Sequence, residues 1–320
     1  MINIPKMKRI LLLSFALLLA LSCGNLPESV EIGPYTLTPV RHNVFDIEDS
    51  NSSNPAGHHF DEQGNITGVN NCSDMYLILG RKKALLIDLS NNVKWAPDAA
   101  ESIHHIFFSL AGKREKLIAV THAHGDHTGM YGAFADDEDI TYLLPRVDFE
   151  HNKIFPQDRT VLFEEGYDID LGGETVNTVM VPGHTKGSMV YSLAGRNLIF
   201  SGDAIGSGDG VWIFSKEAFF QFADGAAHLL DFVNDPSNGI DCDELTFCGG
   251  HAWQKGSKEK LGIKYLEDMN ELVSLIKQGN AQWEPYKVGN PVLNANFRYG
   301  EATITWNSDY YMECICPANN

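Results

Sequence analysis

The sequence lacks a hydrophobic run long enough for a membrane-spanning helix, which needs about 20 apolar residues. Its N-terminal apolar run, residues 10–21, has only twelve residues. Lys6, Lys8 and Arg9 precede the run, and L-S-C-G ends it. A positive flank, a short apolar run and small residues are typical of a secretory signal peptide. We therefore expect residues 1–22 to direct export.

The end of this segment resembles the signal of bacterial lipoproteins, in which a cysteine becomes the lipidated first residue of the mature chain. Here that cysteine is Cys23, although Ala20 stands where such signals usually have leucine. The resemblance implies an exported protein of the bacterial cell envelope or periplasm, attached to the membrane through lipidated Cys23. A plain signal peptide without an anchor is the alternative.

Basic residues are scarce, because 24 Lys and Arg stand against 42 Asp and Glu and give a formal charge of −18. No run of Lys or Arg follows the N-terminal segment. Such a chain repels a nucleic-acid backbone unless a local basic patch or a bound metal intervenes. We therefore expect a small-molecule substrate and no nucleic-acid partner. The sequence leaves the oligomeric state open.

Cysteines are few, and none has the spacing of a tetrahedral metal site. Apart from Cys23 there are five, so in an exported protein at least one must stay unpaired or pair elsewhere. We expect one or two structural disulfides and leave the pairing open. The candidates are Cys72, Cys242, Cys248, Cys314 and Cys316.

The composition changes along the chain and indicates three segments after the signal. Because Asn, Ser, Gly and Pro are frequent there, residues 23–70 should form a tether and a long loop, with one or two edge strands near Tyr35–Val40. Residues 71–280 should hold the main domain. Residues 281–320 should form a C-terminal extension that contains a strand, A-T-I-T-W, and a C-x-C tail.

The first half of the main domain predicts two strands, a helix and a buried strand. M-Y-L-I-L-G and A-L-L-I-D-L flank a polar turn and indicate a strand pair that starts at Met75. Pro97 and Asp98 should open a helix that ends at Gly112. The run L-I-A-V at 117–120 predicts a buried strand. The apolar face of the helix comprises Ile103, Ile106, Phe107 and Leu110.

Two later strands end in similar polar groups. L-I-F at 198–200 leads into S-G-D-A, and L-T-F-C at 245–248 leads into G-G-H-A. Ser257 should cap a helix that ends at Gly279. Strands and helices interleave without strict βαβ alternation, which favours an α/β fold of the α+β kind, with sheets between layers of helices. The apolar stripe of the last helix comprises Leu261, Leu266, Met269, Leu272 and Ile276.

A dense polar motif, T-H-A-H-G-D-H, follows the buried strand at 121–127. It supplies four side chains that can bind metal, whereas a catalytic zinc ion takes only three protein ligands in total. The motif therefore predicts two metal ions and further ligands from other strand ends. The motif's side chains are His122, His124, Asp126 and His127; the further candidates are His184 in V-P-G-H-T-K-G-S, Asp203 in F-S-G-D-A and His251 in G-G-H-A-W.

This ordered set resembles the dinuclear pattern of the metallo-β-lactamase superfamily, and the resemblance covers Asp74 to Gly279. It implies an αββα sandwich, the metallo-β-lactamase fold, in which helices flank two mixed sheets and the site lies at one edge between them. Asp88, in L-L-I-D-L, matches the family's first motif, a residue that orients metal ligands.

Carried over residue by residue, the resemblance implies two zinc ions, with iron or manganese also compatible with these ligands. His122, His124 and His184 would hold the first ion, and Asp126, His127 and His251 the second. Asp203 would bridge them. Asp126 would also act in catalysis, because it can orient the attacking hydroxide and carry a proton to the leaving group.

The resemblance implies a dinuclear zinc hydrolase that attacks the carbonyl of an ester, thioester or lactone with metal-bound hydroxide. Asp203 disfavours β-lactamase activity, because the superfamily's true β-lactamases lack an aspartate at that position. Glyoxalase II shares all seven ligands and has a stretch similar to N-P-V-L at 290–293, while lactonases share the ligands as well. The alternatives are a metal-dependent phosphodiesterase or nuclease, and a non-catalytic metal-binding envelope protein.

Other histidines and aromatic residues admit two interpretations. Four further histidines are either packed or solvated side chains or, for the first pair, residues of a loop that overhangs the site: His58, His59, His104 and His105. Aromatic residues after the last two ligands either line an apolar pocket that favours a neutral acyl substrate, or pack in a helix that starts near Ser215. These aromatic residues are Trp212, Phe214, Phe219, Phe220 and Trp253.

Overall fold

The structure is a computed structural model that describes residues 29–49, 58–60, 66–69, 73–94, 96–207, 210–251, 261–287 and 290–315. The signal segment, Cys23, Cys72, Trp253, Ser257 and Cys316 lie outside the described residues, as do the side chains of His58, His59 and Cys314. Within the described ranges, no helix combines the length and the apolar character needed to cross a bilayer.

The N-terminal half of the chain forms an eight-stranded mixed sheet. Its neighbours run in the order β1-β2-β3-β6-β7-β8-β9-β10, antiparallel up to β7 and parallel from β7 onwards, while β4 and β5 pair separately. The strands are β1 (Val30–Ile32), β2 (Tyr35–Arg41), β3 (Val44–Asp49), β4 (His58–Phe60), β5 (Ile66–Val69), β6 (Met75–Leu79), β7 (Lys83–Ile87), β8 (Glu115–Ala119), β9 (Ile140–Pro145) and β10 (Thr160–Phe163).

A five-stranded sheet and a four-stranded sheet follow, ordered β11-β12-β13-β14-β16 and β15-β19-β18-β17. Within the former, β14 and β16 are parallel neighbours. The strands are β11 (Ile169–Asp170), β12 (Thr175–Met180), β13 (Met189–Leu193), β14 (Leu198–Gly202), β15 (Val211–Trp212), β16 (Thr246–Gly249), β17 (Trp283–Pro285), β18 (Ala295–Tyr299) and β19 (Ala302–Trp306).

Six α-helices are described: α1 (Ala99–Ala111), α2 (Gly125–Thr128), α3 (Arg146–Phe149), α4 (Lys216–Asn234), α5 (Ile263–Lys277) and α6 (Ser308–Ile315). Short 3-10 helices lie at Gly129–Ala133, Gln157–Arg159, Ala194–Arg196, Pro236–Asn238 and Cys242–Glu244.

The alternation of buried side chains shows how the layers stack. In β7, Leu86 packs in the cluster that includes the apolar face of α1, whereas Leu85 belongs to the cluster between the two large sheets. In β14, Phe200 belongs to the inter-sheet cluster, and Ile199 packs on the other side with α4 and α5. Since successive strand residues face opposite sides, both sheets are buried on two faces. The predicted αββα sandwich is confirmed.

The predicted strand pair from Met75 and the helix that follows it are confirmed as β6, β7 and α1. Asp98 is the N-cap of α1, and Gly112 ends the helix with φ of 57°. The strand segment near Tyr35–Val40 is larger than expected, because three strands join the first sheet and the Tyr35 side chain is fully buried. The segment boundaries at 23, 71 and 281 stay a prediction.

The helix predicted from Ser257 begins later in the structure. Its N-cap is Gly262 and α5 starts at Ile263, so Leu261 precedes the helix instead of forming its first apolar contact. The predicted end is confirmed, because α5 finishes at Lys277 and Gly279 has φ of 74°. The late strand predicted at A-T-I-T-W is β19.

Cys242 carries a thiol, so no predicted disulfide involves it. The side chains of Cys72, Cys314 and Cys316 lie outside the described part of the chain. Disulfide formation among the other cysteines stays a prediction.

The start of α4 separates two neighbouring phenylalanines. Ser215 caps the helix, because its Oγ accepts a hydrogen bond from the Ala218 amide at 3.1 Å. Phe219 is buried and stacks on Trp306 with ring centroids 4.4 Å apart, whereas Phe220 is 43% exposed. Phe219 is therefore a core residue, as the packing interpretation predicted.

We expect Phe219→Ala to lower the free energy of unfolding by about 3–5 kcal/mol, because it leaves a cavity beside Trp306. The matched control Phe220→Ala should change it by no more than about 0.5 kcal/mol, since that ring is largely solvent-exposed. Urea unfolding followed by circular dichroism measures both values. Equal losses in the two variants would contradict the packing described for α4.

Candidate metal centre

Four strand ends bring the predicted ligands to one edge of the sandwich. The His122 motif follows β8 of the first sheet, while His184, Asp203 and His251 follow β12, β14 and β16 of the second. β12 and β14 are both antiparallel to β13, and β16 is parallel to β14, so these three strands end on the same side. The seven side chains therefore converge where the two sheets meet.

The converging side chains form two groups. Within each group, one potential ligand atom from every residue lies within 4.8 Å of all the others. The facing nitrogens of His124 and His184 are 2.9 Å apart. The first group is His122, His124 and His184, and the second group is Asp126, His127, Asp203 and His251.

Asp203 lies between the groups, as expected of a bridging ligand. Its Oδ2 is 3.5 Å from His184 Nε2 in the first group and 3.3 Å from His251 Nε2 in the second. Its Oδ1 is 3.4 Å from His127 Nε2. One carboxylate thus faces imidazole nitrogens of both groups, although the ligand roles of all seven residues stay a prediction.

The polar atoms of the site fit bound divalent ions. Among the described residues, His122 Nε2 is buried without a hydrogen-bond partner, and His127 Nε2 is buried with only Asp203 Oδ1 near it, at 3.4 Å. Leaving such atoms unsatisfied in a protein interior is costly. Five imidazoles and two carboxylates are a donor set that suits zinc. A metal ion in each group would satisfy these nitrogens, so the residues present fit the two ions that the sequence predicts.

Asp88 holds two of the histidines in a defined orientation. It follows β7, the parallel neighbour of β8, so its carboxylate reaches the start of the motif. Its Oδ2 accepts hydrogen bonds from His127 Nδ1 at 2.8 Å and from Thr121 Oγ1 at 2.9 Å. Thr121 Oγ1 in turn lies 3.0 Å from His122 Nδ1. Both rings therefore turn Nε2 towards the site, the orienting role expected of Asp88.

Two other orienting contacts, from the Ser207 hydroxyl and the Trp212 carbonyl, were not predicted from the sequence. Ser207 Oγ donates to Asp203 Oδ1 at 2.9 Å and accepts from the His251 amide at 3.0 Å. The Trp212 carbonyl accepts from His184 Nδ1 at 3.0 Å. Ser207 lies in the glycine-rich stretch after Asp203, and that stretch was the signal in the sequence that could have indicated its role. A contact made by a main-chain carbonyl, such as that of Trp212, leaves no signal in the sequence.

The two groups differ in their electrostatics without metal. Burial lowers the pKa of His184 to about 4 and that of His122 well below its usual value. Burial also favours a neutral His251, but the carboxylates of Asp203 and Asp126 outweigh it and raise that pKa to about 10. His122 and His184 of the first group thus offer neutral imidazoles, whereas in the second group a divalent ion would replace protons as the partner of the carboxylates.

Of the predicted aromatic pocket residues, Phe214 lies beside the first group. Its ring centroid is 5.6 Å from that of His184 and 6.4 Å from that of His124. Phe219 belongs to the core, so the pocket interpretation is wrong for Phe219. Phe220 lies on the exposed side of α4, so the interpretation that packs it in the core is wrong for Phe220.

The two histidines predicted on a helix lie on α1 and belong to neither group. His104 Nε2 lies 3.2 Å from Asp137 and its ring stacks on Phe108, while His105 is near Ser109. Both side chains are half-buried and make local contacts, which agrees with the interpretation that gives them no function at the site.

Comparisons with known proteins show similarity of sequence and of fold. A family model described as the metallo-beta-lactamase superfamily matches residues 73–235. A hydroxyacylglutathione hydrolase of Bartonella tribocorum is 30% identical over 225 residues, which are 66% of this chain and 83% of that protein. An atrochrysone carboxyl ACP thioesterase of Claviceps purpurea is 26% identical over 134 residues, 42% of this chain and 40% of that protein.

The chain spans less than half the length of the first curated relatives that it matches, at 47%, 39% and 40% of those proteins. Among solved structures, a metallo-beta-lactamase from Pontibacter korlensis superimposes with a TM-score of 0.54 and 14% identity, covering 75% of this chain and 99% of that one. At that identity the likeness shows the fold alone.

We expect Asp88→Asn to lower zinc affinity about 10–100-fold, because the amide cannot accept all the bonds that orient His127 and Thr121. Asn tolerates the positive φ of 62° found at Asp88, so the backbone should be retained. Competition with a zinc chelator measures the affinity, and Asp158→Asn, at an exposed carboxylate, is the control. An unchanged affinity would show that Asp88 does not orient the ligands.

Proposed function

The chain belongs to the metallo-beta-lactamase superfamily, and we propose that it is a metal-dependent hydrolase of acyl bonds, with thioesters as the favoured substrate class. One observation carries this proposal: seven side chains from four strand ends converge in two groups suited to metal. In this proposal His122, His124 and His184 would hold one zinc ion, Asp126, His127 and His251 would hold the other, and Asp203 would serve both. The ions, when bound, lower the pKa of water and polarise a carbonyl oxygen.

Asp126 is the proposed proton carrier. Its side chain is 17% exposed, and Oδ2 lies 3.4 Å from His251 Nε2. Burial opposes its ionisation, but the hydrogen bond and charge of His251 outweigh burial and lower the pKa of Asp126. Ser73 Oγ fixes the same residue by donating to its carbonyl at 2.5 Å. An ionised, positioned and partly exposed carboxylate can accept a proton and pass it to a leaving group.

The surroundings of the first group suit an uncharged acyl group. The Phe214 ring lies edge-on to His124, so it can exclude water from one side of the site. The chain's charge of −18 opposes a polyanionic substrate such as nucleic acid. Both features favour acyl hydrolysis over the phosphodiesterase alternative.

The choice of a thioester rests on the relatives. Those named as a hydroxyacylglutathione hydrolase and as acyl carrier protein and acyl-coenzyme A thioesterases share part of this chain's sequence. Simple esters and lactones present the same carbonyl to the site, so they are the next substrates to test. The chemistry proposed for the residues does not change among these three.

The zinc-loaded protein should release thiol from an acylated glutathione or acyl-coenzyme A thioester, and chelation of the metal should stop release. His122→Ala should reduce the rate by more than about 100-fold, since the loss of a ligand should exceed that of a residue behind it. His105→Ala, a histidine outside both groups, is the control. A colorimetric thiol assay follows the reaction.

Unchanged thiol release by His122→Ala would contradict the metal mechanism. If the loaded protein cleaved lactones or simple esters but no thioester, the substrate class would be wrong while the metal-dependent hydrolysis would stand.

We also propose that the protein is exported and attached to the membrane through lipidated Cys23. The support is the sequence alone: Lys6, Lys8 and Arg9, the twelve-residue apolar run, and L-S-C-G. A single lipid chain binds membranes weakly, so stable attachment requires more than one.

Expression in a bacterial host with Cys23→Ala should move the protein from the membrane fraction to the soluble envelope fraction, because no thiol is left to lipidate. Cys242→Ala should leave it at the membrane. Immunoblotting of the separated fractions measures the distribution. Retention of the Cys23→Ala protein at the membrane would show that something other than Cys23 anchors it.

A further inference from the structure

The carboxylate of Asp148 joins the two loops that carry the first group of histidines. Asp148 lies in α3, directly after β9. Its Oδ2 accepts hydrogen bonds from the Ala123 amide at 3.1 Å and from Thr185 Oγ1 at 2.6 Å. Its Oδ1 accepts from the Gly187 amide at 2.7 Å. One side chain thus receives three donors from two separate loops.

These donors lie next to the predicted ligands in the chain. Ala123 is between His122 and His124, and Thr185 directly follows His184. The first loop extends from the eight-stranded sheet and the second from the five-stranded sheet. The first loop supplies His122 and His124 and the second supplies His184. A contact that joins the two loops therefore sets the distance between these histidines.

The position of Gly187 shows independently that the loop after His184 packs closely against Asp148. A Cβ at position 187 would lie 2.7 Å from both the Asp148 amide nitrogen and Asp148 Oδ1. One of these is a main-chain atom, which cannot move away without shifting α3. The absence of a side chain at Gly187 therefore allows the loop after His184 to approach the carboxylate.

The turn around Thr185 aims its hydroxyl at Asp148. The Thr185 amide donates to Ser188 Oγ at 3.1 Å, and the two hydroxyl oxygens are 2.7 Å apart. The base of the loop is fixed separately, because the Met189 amide donates to the Thr121 carbonyl at 2.9 Å. Asp148 acts further out, beside the histidines themselves.

We propose that Asp148 is a positioning residue for the first metal ion. Its hydrogen bonds hold His122 and His124 at the correct separation from His184. This inference rests on the metal centre of the proposed function. Asp148 itself binds neither metal nor substrate; it acts through the Ala123 amide and through Thr185 and Gly187. The contacts described above for Asp126, His127 and His251 of the second group do not involve the Asp148 side chain.

The test is the zinc affinity of Asp148→Ala, measured by competition with a chromogenic chelator together with the number of ions bound. We expect one of the two ions to bind about 10–100-fold more weakly, as for other residues that orient ligands, and the other to be unaffected. Glu150→Ala, at an exposed carboxylate two residues further on, should bind both ions as the unchanged protein does.

Two more variants test the same contact in case Asp148→Ala does not fold. Asp148→Asn keeps one acceptor oxygen and should lose less affinity for the same ion. Gly187→Ala should also weaken that ion, because its Cβ displaces Asp148. If Gly187 acts through Asp148, the double variant Asp148→Ala with Gly187→Ala should lose no more zinc affinity than the single variant with the larger loss.

Tight binding of both ions by folded Asp148→Ala would overturn the inference, and so would an equal loss of both ions. These results would leave the metal centre in place. If the unchanged protein bound no zinc, the metal centre of the proposed function would fail, and the role of Asp148 would fail with it.

Discussion

Five imidazoles and two carboxylates meet in a largely buried space between two sheets, and their charges and lone pairs must be balanced there. Hydrogen bonds from one side fix the rings: Asp88 and Thr121 hold one nitrogen of His127 and His122, and the Trp212 carbonyl holds one of His184. The other nitrogens then face one another across the site. Such an arrangement is costly without a cation to receive the lone pairs, which supports the proposed metal centre.

The topology makes this convergence possible at little cost to the core. The predicted ligands follow strand ends, and the strands themselves bury apolar side chains on both faces. The layers also bury a few polar side chains, such as Thr178 and Ser192, but the predicted ligands all lie in the short segments that follow strands. This separation explains why the site can be dense in charge although the sheets beneath it bury mainly apolar side chains.

The sequence predicted the parts of the structure that depend on local pattern. The αββα layers follow from apolar periodicity and resemblance, and the convergence of His122, His184, Asp203 and His251 follows from their place after strands. Asp88 could be found because it matches a motif. Asp148 could not, since its partners at 123, 185 and 187 lie 25 or more residues away in sequence.

Two other differences have similar causes. The helix predicted from Ser257 starts at Ile263, and no local pattern distinguishes a buried residue before a helix from one within it. Phe214 and Phe219 are alike in sequence, yet one faces the site and the other packs on Trp306, because the cap at Ser215 turns the chain between them. Tertiary contacts determine both the start of α5 and the placement of these two rings.

The pairing of β15 with β19 brings a late strand of the chain close to the candidate metal centre. Val211 and Trp212 lie beside Ile304 and Thr305, and Trp306 Nε1 donates to the Ser215 carbonyl at 3.0 Å. The carbonyl that orients His184 therefore belongs to a strand whose neighbour comes from nearly a hundred residues later. The strand β19 is consequently tied to the segment whose carbonyl orients His184. Its exchange between relatives would be constrained by the geometry of that predicted ligand.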